Sequence, residues 1–416
     1  MNTYMSRLRR IGYAFVIAIG MLLFSYWVTN QPFLLNGSEL GLMRYVELVN
    51  GFFNPQDKNN VPDSVMLINV SYDPVLVVTG SQNDGAIPTG YEFITDREKL
   101  LQLLVELKRR DDYKYILLDV SFSDNKDYQT EADSALFNTI LSMDRIVIPR
   151  LHGEDLADKR LNKKAGFVNY YTNFKFDSFS KYPYLVDGQE SLPLKMYEDI
   201  SGNRIDAHGL FPTENSWPVR RSILLPFEIR IDTETPYKEN GEPVWLNLGK
   251  DLLRCSFNES IKGDEQLYKM STQGKYIVIG AFSGNNDKHY TYIGNQPGPI
   301  ILFNAFLVLM HQGHRLHFLV FLVMFFVFLV MSYSILGKEK EQKKTEQENK
   351  RLSKFTKVVN AVGDFIASVA KYSFVLTILA IVTYTWIGVA YDIFITALMF
   401  KILKGLISLC RKFKKN

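Results

Sequence analysis

The feature that most constrains this chain is Phe318–Leu336, an apolar stretch without charged residues that follows directly on a polar region. It is about 20 residues long, which is enough for an α-helix to cross the hydrocarbon core of a bilayer. Before it, Lys275–Ala281 has the β-branched, apolar composition of a buried strand, and Ile300–His311 is apolar on all sides, as in a packed helix. The sequence therefore predicts a folded domain that ends directly against a membrane helix.

A second uncharged stretch, Ile11–Val28, follows three arginines near the N-terminus. A cleaved signal peptide is the alternative, but no cleavage site of the A-x-A type follows, and the stretch is long for the apolar core of such a peptide. We therefore predict an uncleaved transmembrane helix at 11–29, with residues 1–10 in the cytoplasm because positive charge favours that side. Residues 30–315 then form an extracytoplasmic domain.

The remainder of the chain predicts further membrane segments. We place transmembrane helices at 316–336, 372–390 and 393–410, a basic, amphipathic cytoplasmic segment at 337–371 and a cytoplasmic tail at 411–416. Two lysines in the last span oppose insertion, since a central lysine costs roughly 2.5–3.5 kcal/mol. The alternative is one tilted third span followed by a surface helix.

The basic segment supports this topology. Gly337–Lys357 carries eight Lys or Arg against four Glu, which indicates the cytoplasmic side of a membrane. Phe355–Val369 has one apolar face, which could lie on the inner membrane surface, bind a partner or pack on its own bundle. Together these features predict a multi-pass protein of the bacterial inner membrane, with both termini in the cytoplasm.

Strands alternating with helices indicate an α/β domain with a mainly parallel sheet flanked by helices. Gly80–Gly90 and Gly284–Pro299 are rich in turn residues and are predicted to be loops. Val244–Arg254 is predicted to be a short helix. The other predicted strands are Ser64–Val70, Tyr115–Phe122 and Arg145–Pro149, and the other predicted helices are Glu131–Ser142, Leu194–Ser201 and one that a Thr95–Glu98 capping box opens and that ends at Arg110.

Composition and motifs favour no enzyme or nucleic-acid-binding class. The net charge is only +4, and the Lys/Arg clusters lie beside apolar spans instead of forming a basic stripe. The two cysteines, Cys255 and Cys410, are predicted on opposite sides of the membrane, so neither a disulfide nor a cysteine metal site is expected. No catalytic or phosphate-binding motif is found, and we expect neither catalysis nor a cofactor.

Three histidines, His311, His314 and His317, lie beside the second span. On a helix the first and third point about 120° apart, a poor geometry for holding one metal ion. We interpret them as interfacial polar residues.

Three acidic residues lie at the ends of predicted strands and are candidates for a shared site. Asp119 is placed inside an apolar strand, where a carboxylate needs partners or an open cleft. Asp73 and Asp287 also follow strands, and the carboxyl ends of parallel strands meet at one edge of a sheet, where α/β proteins bind ligands. The alternative is that each acid caps a helix or holds a loop in place.

Four stretches resemble, in order and spacing, the signatures of the type-two CHASE (cyclase/histidine-kinase-associated sensing extracellular) domain. They are Ile68–Asp73; Asp96–Phe122, with a D-V-x-F strand; Gly166–Asn169, a G-x-x-N element; and Gly274 onward, as G-K-x-I-V-I-G through Asp287 and Thr291 to Pro297-Gly298 and Asn304. The resemblance implies a bacterial extracytoplasmic sensory module, usually followed by three spans and a cytoplasmic output domain. It adds Asn304 to Asp73, Asp119 and Asp287 as ligand-binding candidates.

The functional hypothesis is a membrane-anchored sensor or regulatory subunit. Because no output domain follows the spans in this sequence, the signal is expected to pass to a separate cytoplasmic signalling protein, and the sensor itself to form a homodimer. The alternative is a structural or scaffold subunit of a cell-envelope complex; a third is transport, with two intramembrane lysines lining a path. A sealed, ligand-sized pocket would favour the sensor, and a broad exposed apolar patch the scaffold.

Overall fold

The computed structural model separates two compact units, Asn50–His314, called the domain below, and a second unit formed by Met1–Val49 with Arg315–Asn416. The residues that the structure describes are 2–29, 41–48, 58–82, 87–123, 130–151, 153–168, 178–179, 181–186, 189–206, 212–253, 271–284, 287–337, 367, 370–381 and 396–403.

The domain is built on a six-stranded sheet whose paired strands are all parallel. Their order in space is β5-β1-β6-β2-β3-β4, so the strand of this sheet that comes last in the chain is inserted between β1 and β2. The predicted α/β domain with a mainly parallel sheet is confirmed. In chain order the strands are β1 Val65–Asn69, β2 Tyr115–Leu118, β3 Ile146–Arg150, β4 Ala165–Phe167, β5 Leu246–Asn247 and β6 Tyr276–Gly280.

Both faces of the sheet are buried, which explains why its strands are continuous apolar runs instead of alternating ones. In β2, Ile116 and Leu118 belong to one core, and Tyr115 and Leu117 to the core on the opposite face. Helices α1 Arg97–Arg110 and α2 Asp133–Ser142 contribute to the first core, and α3 Leu192–Ser201 and α4 Gly298–Met310 to the second. The domain is therefore a three-layer sandwich.

Helix α1 begins one residue later than the predicted capping box implies. The carboxylate of Asp96, not Thr95, accepts hydrogen bonds from the backbone N–H groups of Glu98 and Lys99 and so caps the helix. The helix buries one apolar face, formed by Leu100, Leu103, Leu104 and Leu107.

The prediction of a loop at Gly80–Gly90 is wrong for residues 80–82 and 87–90, and residues 83–86 lie outside the described residues. Pro74–Gln82 and Ile87–Thr95 form a long antiparallel hairpin with pairs such as Leu76–Phe93. Both strands carry several branched or aromatic residues, and their cross-strand pairing outweighs the local preference of the glycines for a turn.

The prediction of a loop at Gly284–Pro299 is also wrong. Lys288–Thr291 and Gly294–Pro297 pair as a short antiparallel hairpin. Its tight turn depends on Gly294, which has a φ of 109°, and on Thr291, whose hydroxyl donates to the Gly294 carbonyl at 2.6 Å. The turn residues that suggested a loop therefore form the connection between two strands.

Two further boundaries differ from the sequence reading. The strand predicted at Tyr115–Phe122 ends at Leu118, so Asp119 follows β2 instead of lying within it. The helix predicted at Val244–Arg254 is instead β5 followed by one π-helical turn, Leu248–Leu252. Asp251 holds this turn because its carboxylate accepts hydrogen bonds from the backbone and side-chain N–H groups of Asn247.

The second unit contains two helices that are long and apolar enough to cross a membrane, within Asn2–Thr29 and Phe318–Gly337. They pack antiparallel: Arg10 donates to the Tyr333 carbonyl at 2.7 Å, and the rings of Phe15 and Phe325 lie 5.3 Å apart. Of the later predicted spans, the structure describes helices only at Ala370–Ile381 and at residues 396–403. Residues 338–366 of the predicted basic segment lie outside the described residues.

Gly166 provides a test of how closely β4 packs on α3. A Cβ at this position would lie 2.4 Å from the Leu192 Cα, which is backbone and cannot rotate away. We expect Gly166→Ala to push β4 and α3 apart and to lower the free energy of unfolding by about 1–3 kcal/mol, measured by thermal or denaturant unfolding of the full chain.

Gly41→Ala is the matched control, because a Cβ there meets nothing within 4 Å in a helical segment. It should leave stability unchanged or raise it slightly. Equal stability of the two variants would contradict the close approach of β4 and α3.

Candidate functional site

A cavity of about 450 Å³ lies at the carboxyl edge of the parallel sheet. It is lined by residues that follow β1, β2 and β6 and by residues at the ends of β3 and β4. This edge is where open α/β sheets bind ligands, and the volume falls within the range of small-molecule sites. The walls are mostly apolar and include Val70, Ile94, Val120, Leu151, Ile301 and Leu302.

Asp119 lies at the centre of the strand ends and faces the cavity. Its backbone N–H donates to the Ile279 carbonyl at 2.7 Å, which places it beside β6. Burial, and then the charge of Asp287, raise the pKa of the Asp119 carboxyl to about 8. At neutral pH, Asp119 is therefore mostly a neutral carboxylic acid that can donate a hydrogen bond.

Asp287 reaches the same cavity from the start of the Lys288–Pro297 hairpin. Its Oδ1 lies 3.1 Å from His289 Nε2, and its backbone carbonyl accepts a hydrogen bond from the Gly298 N–H at 3.0 Å. A Cβ on Gly298 would lie 2.5 Å from Oδ2, so glycine is required for this approach. The carboxylate thus lies against the first residue of α4, where negative charge is favourable.

Tyr182 contributes the third polar group. It belongs to a short strand, Lys181–Pro183, is fully buried and lines the cavity. Burial raises the pKa of its phenol, as does the charge of Asp119. Among the residues that the structure describes, its hydroxyl has no hydrogen-bond partner. A buried hydroxyl in this state favours a partner supplied from the cavity, because an unmet polar group is costly to bury.

Asp73, predicted for the same site, lies elsewhere. Its carboxylate accepts hydrogen bonds from Lys99 Nζ at 2.7 Å and from the Gly249 backbone N–H at 2.9 Å. The hydrogen bond that the Lys99 ammonium donates to Asp73 is the main cause that raises the pKa of Lys99. Asp73 therefore ties α1 to the π-helical turn and does not line the cavity.

Asn304 also has a structural position. It is fully buried in α4, where its Oδ1 accepts from the Ile229 N–H and its Nδ2 donates to the carbonyls of Ile229 and Ile300. These bonds hold the segment around Ile229 against α4. The structure thus brings Asp119 and Asp287 together and places Asp73 and Asn304 outside their cavity.

The three histidines differ from one another. His311 pairs with Glu228 at 2.9 Å on the surface. His314 is fully buried, with Nε2 3.2 Å from Glu214, whose carboxylate also accepts a hydrogen bond from the Tyr197 hydroxyl. The interpretation of His314 as interfacial is therefore wrong, because this pairing buries it. Within the described ranges, no group of three or more His, Cys, Asp or Glu could hold a metal ion.

Sequence reasoning missed Tyr182 and His289. Tyr182 lies on a three-residue strand that pairs with Ser222–Leu224, about 40 residues further along the chain, and no local pattern marks it. His289 lay in a segment that had been read as a loop. Its position two residues after Asp287 was the one local signal available.

Comparisons with family models, curated proteins and solved structures find no match for this chain. The resemblance to the type-two CHASE domain therefore depends on the motifs alone. The fold and the cavity define the class of molecule: an α/β domain with a candidate small-molecule site, in a chain that also carries two helices long and apolar enough to cross a membrane.

The buried acid should make stability depend on pH. Because the pKa of Asp119 rises from about 4 in the unfolded chain to about 8 in the domain, folding takes up a proton between these pH values. Stability should therefore fall as pH rises from about 4 to 8, by up to about 4 kcal/mol at pH 7. Asp119→Asn should flatten this decline, measured by thermal unfolding across that range.

Asp63→Asn is the matched control, since Asp63 is exposed and lies just before β1, at the opposite end of the strands. It should keep the wild-type pH profile. Parallel profiles for wild type and Asp119→Asn would show that Asp119 is not a buried acid with a raised pKa.

Proposed function

We propose that this protein is a membrane-anchored sensor whose extracytoplasmic domain binds a small molecule in the cavity between Asp119 and Asp287. Ligand binding is then signalled through the membrane helices to a separate cytoplasmic protein. The observation that carries the proposal is the cavity itself, which combines apolar walls with a few convergent polar groups at the carboxyl edge of the sheet.

Helix α4 supplies a direct route from the cavity to the membrane. Gly298, Ile301 and Leu302, in its first turns, line the cavity, and the helix ends at Met310. Only residues 311–317 separate it from the apolar helix that begins at Phe318. A ligand that shifts α4 therefore acts on an element that a short non-helical connection joins to the proposed span.

Several large apolar side chains on the two long helices support a bilayer around them. Phe318 is 71% exposed, Val330 68% and Val16 67%. Outward-facing apolar side chains of this kind are stabilised by lipid, whereas a soluble core helix would bury them.

The antiparallel pairing of these helices supports the predicted topology. Arg10 and Tyr333 lie at one end of the pair, and the ends that lead to the domain lie at the other. Basic residues favour the cytoplasm, so we assign residues 1–10 to that side and the domain to the outside. We place the protein in a bacterial inner membrane, as a multi-pass protein with both termini cytoplasmic.

The proposed partner is a cytoplasmic signalling protein that docks on the basic segment 337–371, and the sensor is proposed to act as a homodimer. Both parts rest on the resemblance to sensory modules and on the charge of this segment. The output class that the resemblance implies is a kinase or a cyclase.

A scaffold function is the second candidate, because the hairpin Pro74–Thr95 exposes apolar side chains on one face. Leu76 and Phe93 pair directly and are 52% and 69% exposed, and Tyr91 is 64% exposed. Such a face could bind another envelope protein.

Crosslinking in native membranes tests the sensor. Ala281 lines the cavity, so Ala281→Leu should fill part of it and change the recovery of a crosslinked kinase or cyclase by about fivefold or more. Ala281→Ser, which adds little volume, is the control and should behave as wild type. Deletion of residues 337–371 should abolish the crosslink.

A scaffold gives the opposite pattern. The crosslinked proteins would then be envelope components, recovered equally with Ala281→Leu and with the deletion, and lost in a Leu76→Ser/Tyr91→Ser variant. That result would contradict the sensor function and support the scaffold function.

A further inference from the structure

Three of the polar groups that line the cavity can accept hydrogen bonds from a ligand. The carboxyl groups of Asp119 and Asp287 and the hydroxyl of Tyr182 line the same space. The Tyr182 hydroxyl is fully buried and has no hydrogen-bond partner among the described residues. A ligand that presents several N–H or O–H donors at one atom would satisfy all three groups.

The two carboxyl groups repel each other when both are ionised. Burial and the charge of Asp287 hold Asp119 protonated. A positive charge placed between the two groups would allow both to ionise, because a nearby opposite charge favours the charged form of a carboxyl.

The positive side chains that face the cavity are engaged with other groups. The Arg97 guanidinium lies over the Phe122 ring at 4.4 Å and donates to the Ser121 carbonyl at 2.9 Å. It also lies 4.0 Å from the Asp133 carboxylate. His289 is hydrogen-bonded to Asp287.

We propose that the cavity binds an organic primary amine in its ammonium form, with the ammonium group held by Asp119, Asp287 and Tyr182 and an apolar body against the walls. This inference rests on the proposed function, since it names the ligand class of the same site. The three N–H donors of a primary ammonium match the three acceptors. The apolar walls suit an organic body, and the described donor set lacks the three or more His, Cys, Asp or Glu that could hold a metal ion.

Binding is coupled to the release of one proton. The ammonium enters with its charge, the Asp119 carboxylic acid loses its proton to the solvent, and both carboxylates then pair with the same cation. Below the pKa of Asp119, which is about 8, affinity should rise about tenfold for each pH unit. Above that pH it should level off until the amine itself loses its charge.

Isothermal titration calorimetry of the full chain in nanodiscs tests the ligand class. The probes are phenethylamine, tryptamine and n-butylamine, with 2-phenylethanol, phenethyltrimethylammonium, 3-phenylpropionate and calcium chloride as comparisons. We expect at least one primary amine to bind at least about tenfold more tightly than the alcohol and the trimethylated cation. Titration in buffers of different ionisation enthalpy at pH 7 should show release of about one proton.

The variants assign the site. Asp119→Asn should weaken amine binding about tenfold or more at pH 8 and remove both the proton release and the pH dependence. Tyr182→Phe, which keeps the ring, should weaken it about tenfold, and Ala281→Leu should weaken it by filling the cavity. Asp63→Asn should bind as wild type. Circular dichroism confirms that each variant is folded.

Three results would overturn the amine proposal. Equal or tighter binding of the alcohol, the carboxylate or calcium ion would show that the ligand belongs to that class instead. Unchanged amine binding in Asp119→Asn would show that amines bind at another site. Failure of all three amines would reject the class. The sensor itself is judged separately: if Ala281→Leu still changes partner crosslinking, a ligand cavity of another specificity remains, and if it does not, both proposals fall.

Discussion

The pairing of β6 between β1 and β2 is the interaction on which the rest of the domain depends. Its residues pair in register with β1 on one side and β2 on the other, across Tyr276, Ile277, Val278 and Ile279. Because β6, the last of the six strands in the chain, lies inside the sheet, the segment that follows it begins at the centre of the sheet. Asp287 thereby reaches Asp119, and α4 packs over the strand ends before the chain continues to Phe318. One long-range pairing thus builds the candidate site and connects it to the apolar helix.

Two glycines, at the end of β6 and at the start of α4, show how closely these elements approach their neighbours. A Cβ on Gly280 would lie 2.4 Å from the Pro299 ring, and one on Gly298 would strike the Asp287 carboxylate. These approaches bring two partly exposed acids close to each other, an arrangement that opposes folding at neutral pH, since the domain must hold Asp119 protonated. Strained electrostatics of this kind concentrate at functional sites, because a ligand can relieve them.

How much of the site the sequence predicts depends on how far apart along the chain the contacting residues lie. The acids that follow β1, β2 and β6 can be picked out from the sequence, because buried strands are apolar runs and the polar residues after them stand out from these runs. The roles of Asp73 and Asp119 are decided by different partners. Asp73 pairs with Lys99 and accepts a hydrogen bond from the Gly249 backbone N–H, 176 residues away, whereas Asp119 lies near Asp287. The sequence did not predict Tyr182 or the two hairpins. Tyr182 lies on a strand that pairs with a remote strand, and the hairpins form because neighbouring strands pair despite a local composition that favours turns.

The amino-acid sequence alone predicts the local elements: the apolar face of α1, the buried parallel strands, and two apolar stretches of membrane-spanning length. These follow from periodicity and composition over windows of a few residues, where each residue's own chemistry dominates. Only the tertiary structure decided the order β5-β1-β6-β2-β3-β4, and with it which acid faces a cavity and which is neutralised. The reason is physical: charge, burial and hydrogen bonding at Asp119 are set by groups that the fold brings from far along the chain.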